Sequence, residues 1–283
     1  MDTLLHNVPT SPPPLPMRAS PPSASPRAPG LGVAIGFIAM YFLLQIGLGL
    51  VAGLVVAVIV GVQAFLHGGW AALAGLEPRV QTTLEQPDIH AALIIAVLVG
   101  SALLTLWMAW KKWPRFWSMP DPPGFGFAMP NASAFFIVAI ALGIAAPMLG
   151  GAVTHVLAGD HPVSQDIQQL GAQAQIGTRV VLALMVATLG PIVEELLFRG
   201  LLLSALMRRW QVGWAVAVTS LLFVLIHLPG LKLQWYALPD LFLLALALSW
   251  IRLKSGSIWP AVLTHATNNA LAMLAWFLVI KPG

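Results

Sequence analysis

The sequence contains no cysteine, and only 8% of its 283 residues are Asp, Glu, Lys or Arg. The absence of cysteine excludes disulfide bonds and thiolate-bound metal sites in this chain. A soluble domain has roughly 25% charged residues, whereas here 58% of all residues are apolar. We therefore predict an all-α, polytopic helical protein of the cell membrane, with the lipid bilayer as its surroundings.

Three regions of the chain differ in composition. Residues 1–30 hold nine of the 23 prolines and have no apolar core, which predicts a disordered, Pro-rich N-terminal tail and not a signal peptide. Residues 31–177 are predicted to form N-terminal transmembrane helices and loops. Residues 178–280 contain the last four predicted spans and form the third region.

Apolar stretches indicate about seven membrane spans. The predicted spans are residues 31–66, 89–110, 135–157, 178–209, 213–228, 237–250 and 258–280. The first stretch would make a helix of ~54 Å, which exceeds the ~30 Å hydrocarbon core of a bilayer. It therefore forms either one long tilted helix or two crossings broken near its glycines. We predict seven spans, with eight as the alternative.

Basic residues predict the orientation of the spans, because Lys and Arg are enriched on the cytoplasmic side. With seven spans, one side of the membrane has most of them: Arg18, Arg27, Lys111, Lys112, Arg115, Arg208, Arg209, Arg252 and Lys254. We therefore predict a cytoplasmic N-terminus and an external C-terminus; with eight spans the N-terminus would move outside. The net charge of +4 is explained by this placement and does not indicate a nucleic-acid partner.

The fourth predicted span contains three charged residues, Glu194, Glu195 and Arg199, in an otherwise uncharged stretch. Ionisable groups at membrane depth are costly and usually functional. Glu195 and Arg199 are four residues apart in the favourable order for an ion pair on one helical face. Glu194 lies about 100° further round the helix and needs a partner from another helix, or a proton. Pro191, one turn earlier, predicts a kink.

Two of the seven histidines fall inside or at the end of predicted spans, His227 and His265. Counting along two antiparallel helices from the turn between the fourth and fifth spans puts Glu194 and His227 level within ~2 Å. Asn269 follows His265 by four residues and shares its helical face. We expect these four side chains to converge in one interior pocket. The alternative is a set of hydrogen-bonding struts between helices, which is the role predicted for Asn268.

These segments resemble the three motifs of the CAAX protease and bacteriocin-processing (CPBP) family of intramembrane endopeptidases. The motifs of that family are EExxxR, FxxxH and HxxxN, in this order on core helices. Here they read Glu194-Glu195-x3-Arg199, Phe223-x3-His227 and His265-x3-Asn269. The resemblance covers residues 178–277. It implies a four-helix intramembrane protease core over residues 178–280, in a helical membrane bundle whose cavity opens toward one face and laterally to lipid.

The resemblance also implies an activity, the hydrolysis of a peptide bond in a membrane-associated or lipid-modified protein or peptide. It implies Glu194 as general base, His227 as the residue that orients and activates water, and His265 with Asn269 as stabilisers of the oxyanion. The ion pair of the first motif would hold that motif in shape. Members of the family are often called metalloproteases.

The sequence is compatible with zinc and equally with a metal-free mechanism. Glu194, His227 and His265 would form a His₂Glu zinc set with water as fourth ligand. A water molecule activated by the glutamate alone would use the same residues. The cofactor therefore stays unknown at this point.

Two other functions use the same residues. Chains of intramembrane Glu and His also conduct protons in transporters, although transporters often contain internal repeats and the two halves of this sequence show no convincing repeat. A bacteriocin-immunity or scaffolding protein could retain the pocket without catalysis, although the intact motifs argue against lost activity. A prenylated C-terminal motif, a bacteriocin leader and a membrane regulator are all open as substrates.

Overall fold

A computed structural model describes residues 28–159 and 173–278, and within these ranges every regular element is a helix. This confirms the predicted all-α class. The predicted disordered tail lies outside the described residues except for residues 28–30. The connector that follows the third predicted span lies outside them over residues 160–172.

The N-terminal part of the described chain contains five helices. They are α1 (Leu31–Gly68), α2 (Leu76–Leu84), α3 (Pro87–Lys112), α4 (Pro114–Trp117) and α5 (Ala134–Ala158). Helix α1 is one continuous helix of 38 residues, which agrees with a single first span and not with two crossings. The polar connector predicted after this span is itself largely helical, because it contains a 3₁₀ segment and α2.

The C-terminal part contains four further helices. They are α6 (Ile176–Met207), α7 (Val212–His227), α8 (Leu238–Ser255) and α9 (Ile258–Leu278). Helix α6 is α-helical over Ile176–Glu195, becomes a π-helix over Leu196–Leu202 and ends as an α-helix over Leu203–Met207. Pro191 lies inside the first α-helical part, and the π-helix begins after it, at Leu196.

Each of the seven predicted spans corresponds to a helix. Within the described residues, five helical stretches are long and apolar enough to cross a membrane: Leu31–Leu84, Pro87–Lys112, Ala134–Ala158, Ile176–Met207 and Trp235–Ser255. The remaining two are α7, which has only 16 residues, and α9, whose hydropathy is lowered by the polar residues between 264 and 269. The chain is therefore a multi-pass membrane protein. The orientation of its termini stays a prediction.

The centre of the fold is the bundle of α6, α7, α8 and α9. Helix α8 contacts α7 and α9, and α9 contacts α6. Helix α5 lies against α8 and α9, α3 lies against α6, and α1 lies against α3. Every residue of the π-helix Leu196–Leu202 is buried. The segment that directly follows the two glutamates is thus the best-protected part of the described chain.

The contact between α5 and α9 requires a glycine. A Cβ atom added at Gly143 would lie 2.6 Å from the backbone oxygen of Thr264, so no larger residue fits without moving a helix. The hydroxyl of Thr264 donates a hydrogen bond of 3.1 Å to the carbonyl oxygen of Ala139. Because Thr264 directly precedes His265, this hydrogen bond holds the part of α9 that contains the third motif against α5.

Candidate active site

The two predicted histidines and the first glutamate of the pair meet at the centre of the bundle. Nε2 of His227 lies 3.7 Å from Oε2 of Glu194. Nε2 of His265 lies 3.8 Å from the same oxygen. One carboxylate oxygen of α6 thus faces one imidazole of α7 and one of α9, as the sequence predicts.

The cluster is open at one end and closed at the other. The side chain of His227 is 30% exposed, that of Glu194 is 21% exposed and that of His265 is 5% exposed. His227 is the last residue of α7, which ends before Pro229. The exposed side of the cluster is therefore the side of His227, whereas His265 lies on the inner side.

A backbone contact determines which nitrogen of His227 faces the glutamate. Nδ1 of His227 lies 2.7 Å from the carbonyl oxygen of Phe223. A carbonyl oxygen only accepts hydrogen bonds, so Nδ1 must be the protonated nitrogen in this contact. Nε2 is left free to face Glu194.

A carboxylate holds His265 in a corresponding way. Nδ1 of His265 lies 3.0 Å from Oε1 of Glu195, and the same oxygen accepts a 3.0 Å hydrogen bond from Nη1 of Arg199. The Glu195–Arg199 ion pair predicted from the sequence is present, with both side chains fully buried. The bond to His265 was not predicted, and the only signal for it was the capacity of a carboxylate to accept several donors.

Arg199 connects the first motif to two other helices. Its Nη2 donates a 3.1 Å hydrogen bond to the carbonyl oxygen of Ala245 in α8. Its guanidinium carbon lies 4.5 Å from the ring centroid of Phe223 in α7, a distance at which cation–π attraction is favourable. A single buried cation therefore joins α6, α7 and α8.

The aromatic ring of Phe223 packs against both imidazoles of the cluster. Its centroid lies 4.5 Å from the ring of His227 and 5.7 Å from that of His265. Phe198 packs edge-on against the same ring at 5.2 Å. The phenylalanine of the second motif thus restricts the orientation of both imidazoles, which gives a physical reason for an aromatic residue at that position.

Asn269 lies one turn beyond His265 on α9, and its hydrogen bonds join it to Val186 and Asn268. Its Nδ2 donates to the carbonyl oxygen of Val186 in α6 at 3.1 Å, and its Oδ1 accepts from Asn268 at 3.4 Å. Among the described residues, no hydrogen bond joins Asn269 to Glu194 or to either imidazole. That Asn269 shares the pocket stays a prediction.

Two carboxylate oxygens at the site lack partners among the described residues, Oε2 of Glu194 and Oε2 of Glu195. Buried polar atoms in proteins are normally hydrogen-bonded to protein or to water. The unpartnered oxygen of Glu194 is the one that faces both imidazoles, so a water molecule that bridges these groups would meet that requirement.

Glu194, His227 and His265 have the residue types of a zinc site. One carboxylate with two imidazoles is a common zinc donor set, and the Nδ1 contacts of both histidines resemble those that orient metal ligands. However, in residues 28–159 and 173–278 no group of three His, Asp or Glu side chains is arranged to hold a metal ion. The residue types of Glu194, His227 and His265 fit zinc, but their arrangement does not. The roles of these residues therefore do not depend on a metal.

Comparison with known proteins agrees with the motif resemblance. The family model described as "Type II CAAX prenyl endopeptidase Rce1-like" matches residues 176–271, which contain all three motifs. A curated relative, "Uncharacterized 24.3 kDa protein" of Escherichia coli, is 33% identical over 115 residues. That alignment covers 40% of this chain, and the chain spans about half (52%) of the relative. No solved structure matches the chain significantly. The predicted resemblance to the CAAX protease family is thus confirmed for residues 176–271.

Proposed function

We propose that this protein is an intramembrane endopeptidase that uses Glu194 to activate water. The observation that supports this most strongly is one carboxylate oxygen facing the Nε2 atoms of two imidazoles, at 3.7 and 3.8 Å, on three different helices. Structural struts would satisfy each other with direct hydrogen bonds, whereas here the oxygen of Glu194 is unpartnered. The family match over residues 176–271 supports the same class of reaction.

In the proposed reaction Glu194 is the general base. It takes a proton from a water molecule held between its carboxylate and Nε2 of His227, and the resulting hydroxide adds to the scissile carbonyl carbon. The carbonyl π electrons move to the oxygen and form the oxyanion of a tetrahedral intermediate. When the intermediate collapses, the C–N bond breaks and the protonated Glu194 returns its proton to the leaving nitrogen.

Stabilisation of the oxyanion is assigned to His265 and Asn269. His265 can donate from Nε2 only when that nitrogen is protonated as well as Nδ1, and Glu195 would balance the charge of this imidazolium. Asn269 would donate its second amide hydrogen, since the first is used by Val186. Removal of one such donor typically costs ~10²–10³-fold in kcat.

Because Glu194, His227 and His265 are not arranged to hold a metal ion, each step of the proposed reaction is assigned to the chain's own residues. The chain's own residues would still orient the peptide, exclude bulk water and hold the leaving-group proton. The bonds from His227 to Phe223 and from His265 to Glu195 fix both imidazoles with or without such an ion.

The proposed substrates are membrane-associated or lipid-modified proteins and peptides. The helices around the core have apolar outer surfaces, so a substrate with a lipid group would reach the bundle by diffusion within the bilayer. The family model is described by its action on CAAX prenyl substrates. A prenylated C-terminal peptide is therefore the first substrate to test.

The test is cleavage of a prenylated CAAX peptide by the protein in lipid nanodiscs, followed by mass spectrometry. Wild-type protein should cleave it, and Glu194→Gln should not. Glu77→Gln, which removes an exposed carboxylate of α2, serves as the matched control and should leave cleavage unchanged. Cleavage that persists in Glu194→Gln would refute the assigned base.

The same preparation distinguishes the alternatives. A transporter would show pH-dependent solute flux in liposomes and no cleavage by the wild type. An immunity or scaffolding protein would show neither activity, and Glu194→Gln would not change the binding of its partner. Hydrolysis by the wild type that depends on Glu194 excludes both.

A further inference from the structure

The loop that connects α4 to α5, residues 118–133, contacts three helices of the core through three consecutive residues, 124–126. Nη2 of Arg252 in α8 donates a 3.0 Å hydrogen bond to the carbonyl oxygen of Gly124. The backbone N–H of Ile258, the first residue of α9, donates a 2.8 Å hydrogen bond to the carbonyl oxygen of Gly126. The first N–H groups of a helix have no partner within it, so the loop supplies one for α9.

The middle residue of the three, Phe125, packs against α6. Its side chain is fully buried, and a Cβ atom added at Gly200 would lie 3.5 Å from Cβ of Phe125. Gly200 belongs to the π-helix Leu196–Leu202. On its other sides the phenyl ring is surrounded by three aromatic rings of α4 and the residue before it, with centroids at 6.0, 6.3 and 6.1 Å: Trp113, Phe116 and Trp117.

Residues 124–126 are held in place from the α8 side. Gly126 has a positive φ of 80°, which favours glycine, and a Cβ atom there would lie 2.6 Å from the guanidinium carbon of Arg252. Arg252 is itself fully buried. Further along the loop, the backbone N–H of Asn131 donates a 2.9 Å hydrogen bond to the carbonyl oxygen of Ser255, the last residue of α8. The loop is thus bonded to α8 and α9 while Phe125 packs on α6.

The helices that this loop joins are the ones that present Glu195 and His265. Gly200 follows Glu195 by five residues, and Ile258 precedes His265 by seven, which corresponds to ~8 Å along α6 and ~11 Å along α9. Nδ1 of His265 lies 3.0 Å from Oε1 of Glu195. The same two helices are therefore joined twice, once by this buried bond and once by the loop about two turns away.

We propose that Phe125 is a positioning residue of the candidate active site, which sets the spacing of α6 and α9 and so keeps Nδ1 of His265 within hydrogen-bond distance of Glu195. It acts through the backbone of α6, against which it packs. Removing a buried ring leaves a cavity into which the surrounding structure partly relaxes. A displacement of about 1 Å that originates far from the reacting groups can cost ~100-fold in rate.

This proposal extends the working site beyond the segment that matches the family model. Residues 124–126 precede residue 176, where that match begins, so the family resemblance assigns no role to them. If Phe125 sets the geometry of His265 and Glu195, the loop between α4 and α5 is part of the machinery of the site.

A spectroscopic experiment tests the positioning role without any assay of activity. The chain has seven histidines; in protein labelled with ¹⁵N-histidine, His265→Ala identifies the resonances of that imidazole. Phe125→Ala should shift the Nδ1 resonance of His265, because the bond to Glu195 changes. Phe65→Ala, the control, removes a ring that packs against Trp70 near the C-terminal end of α1 and should leave this resonance in place. An unchanged Nδ1 resonance in Phe125→Ala would overturn the proposal.

A milder variant keeps the test decisive if Phe125→Ala does not fold. Phe125→Leu retains an apolar side chain against Gly200 and loses only part of the ring volume. It should shift the Nδ1 resonance of His265 in the same direction and by a smaller amount. A folded Phe125→Leu protein whose His265 resonance equals that of the wild type would refute the positioning role.

The second measurement rests on the proposed peptidase function. At equal folded concentration, kcat of Phe125→Ala for the prenylated peptide should be about 10–100-fold below the wild-type value, with KM unchanged and Phe125→Leu between the two. Phe65→Ala should match the wild type. A kcat of Phe125→Ala equal to that of the wild type would contradict the proposal. If the wild type cleaves nothing, the proposed function fails, and the ¹⁵N response alone decides the role of Phe125.

Discussion

His265 stands between the two adjacent glutamates of α6, with Nδ1 at 3.0 Å from Glu195 and Nε2 at 3.8 Å from Glu194. Neighbouring residues on one helix therefore face opposite nitrogens of a single imidazole. This arrangement explains why the first motif has two consecutive acids. One acid faces Nε2 of the histidine, and the other accepts a hydrogen bond from its Nδ1.

Replacing Glu195 by glutamine should affect both activity and stability. The variant keeps the shape of the side chain but removes the charge that His265 and Arg199 share. We expect a loss of about 10–100-fold in kcat, the range found for residues that orient site groups. We also expect destabilisation by ~3–5 kcal/mol, because the buried guanidinium loses its charged partner. Peptide kinetics and thermal unfolding in detergent measure the two effects.

A double variant separates these two consequences. In Glu195→Gln with Arg199→Met, the buried guanidinium is removed together with its carboxylate partner, so much of the lost stability should return. Activity should stay low, since His265 still lacks its carboxylate. A double variant that recovered both stability and kcat would show that Glu195 serves only the ion pair.

Asn269 and Asn268 offer a matched pair on one helix. Asn269→Ala should lower kcat by ~10²–10³-fold if the amide stabilises the oxyanion. Asn268→Ala should change kcat far less, because we predict that Asn268 is a strut. Kinetics with the same peptide and folded fractions from gel filtration provide the comparison. Equal losses in the two variants would argue that the Asn269 bond to Val186 is structural and nothing more.

Two glycines of α5 should respond in opposite ways to the same substitution. Gly143→Ala places a methyl group 2.6 Å from the backbone of α9 and should destabilise the protein by ~1–3 kcal/mol through overpacking. Gly151→Ala meets no atom within 4 Å and should be neutral or slightly stabilising, because alanine favours the helix. Thermal unfolding of both variants tests this. Similar stability of the two would contradict the close contact between α5 and α9.

Metal analysis of the purified protein decides between the two mechanisms that use these residues. Elemental analysis of the wild type and of His227→Ala, prepared in parallel without chelators, compares the zinc content per chain. Our account predicts full cleavage activity after chelation. Stoichiometric zinc that is lost in His227→Ala, together with activity that returns only on adding zinc, would rule out the metal-free scheme.

The helices could be predicted from the sequence because helices that contact lipid are long, continuous apolar stretches. Long apolar stretches bounded by charged or proline-containing loops located all seven main helices to within a few residues. The π-helix Leu196–Leu202 could not be predicted in this way. Its buried side chains meet other helices of the bundle, as Arg199 does with α7 and α8, and the order of residues in the segment does not specify those contacts.

The site was predicted in part for a similar reason. Glu194, His227 and His265 are ionisable groups in apolar helices, and such groups stand out in a sequence. The bond from His265 to Glu195 depends on the rotation of α9 about its axis, which spacing alone does not specify.

The most direct test of this account is the rate of prenylated-peptide cleavage by wild type and Glu194→Gln, measured at equal folded concentration in nanodiscs. A general base of this kind contributes about 10²–10⁴-fold, so the account predicts a loss of at least the lower value in Glu194→Gln. The product of the wild-type reaction in H₂¹⁸O should contain the label in its new carboxylate. A Glu194→Gln variant that cleaves as fast as the wild type would contradict the account.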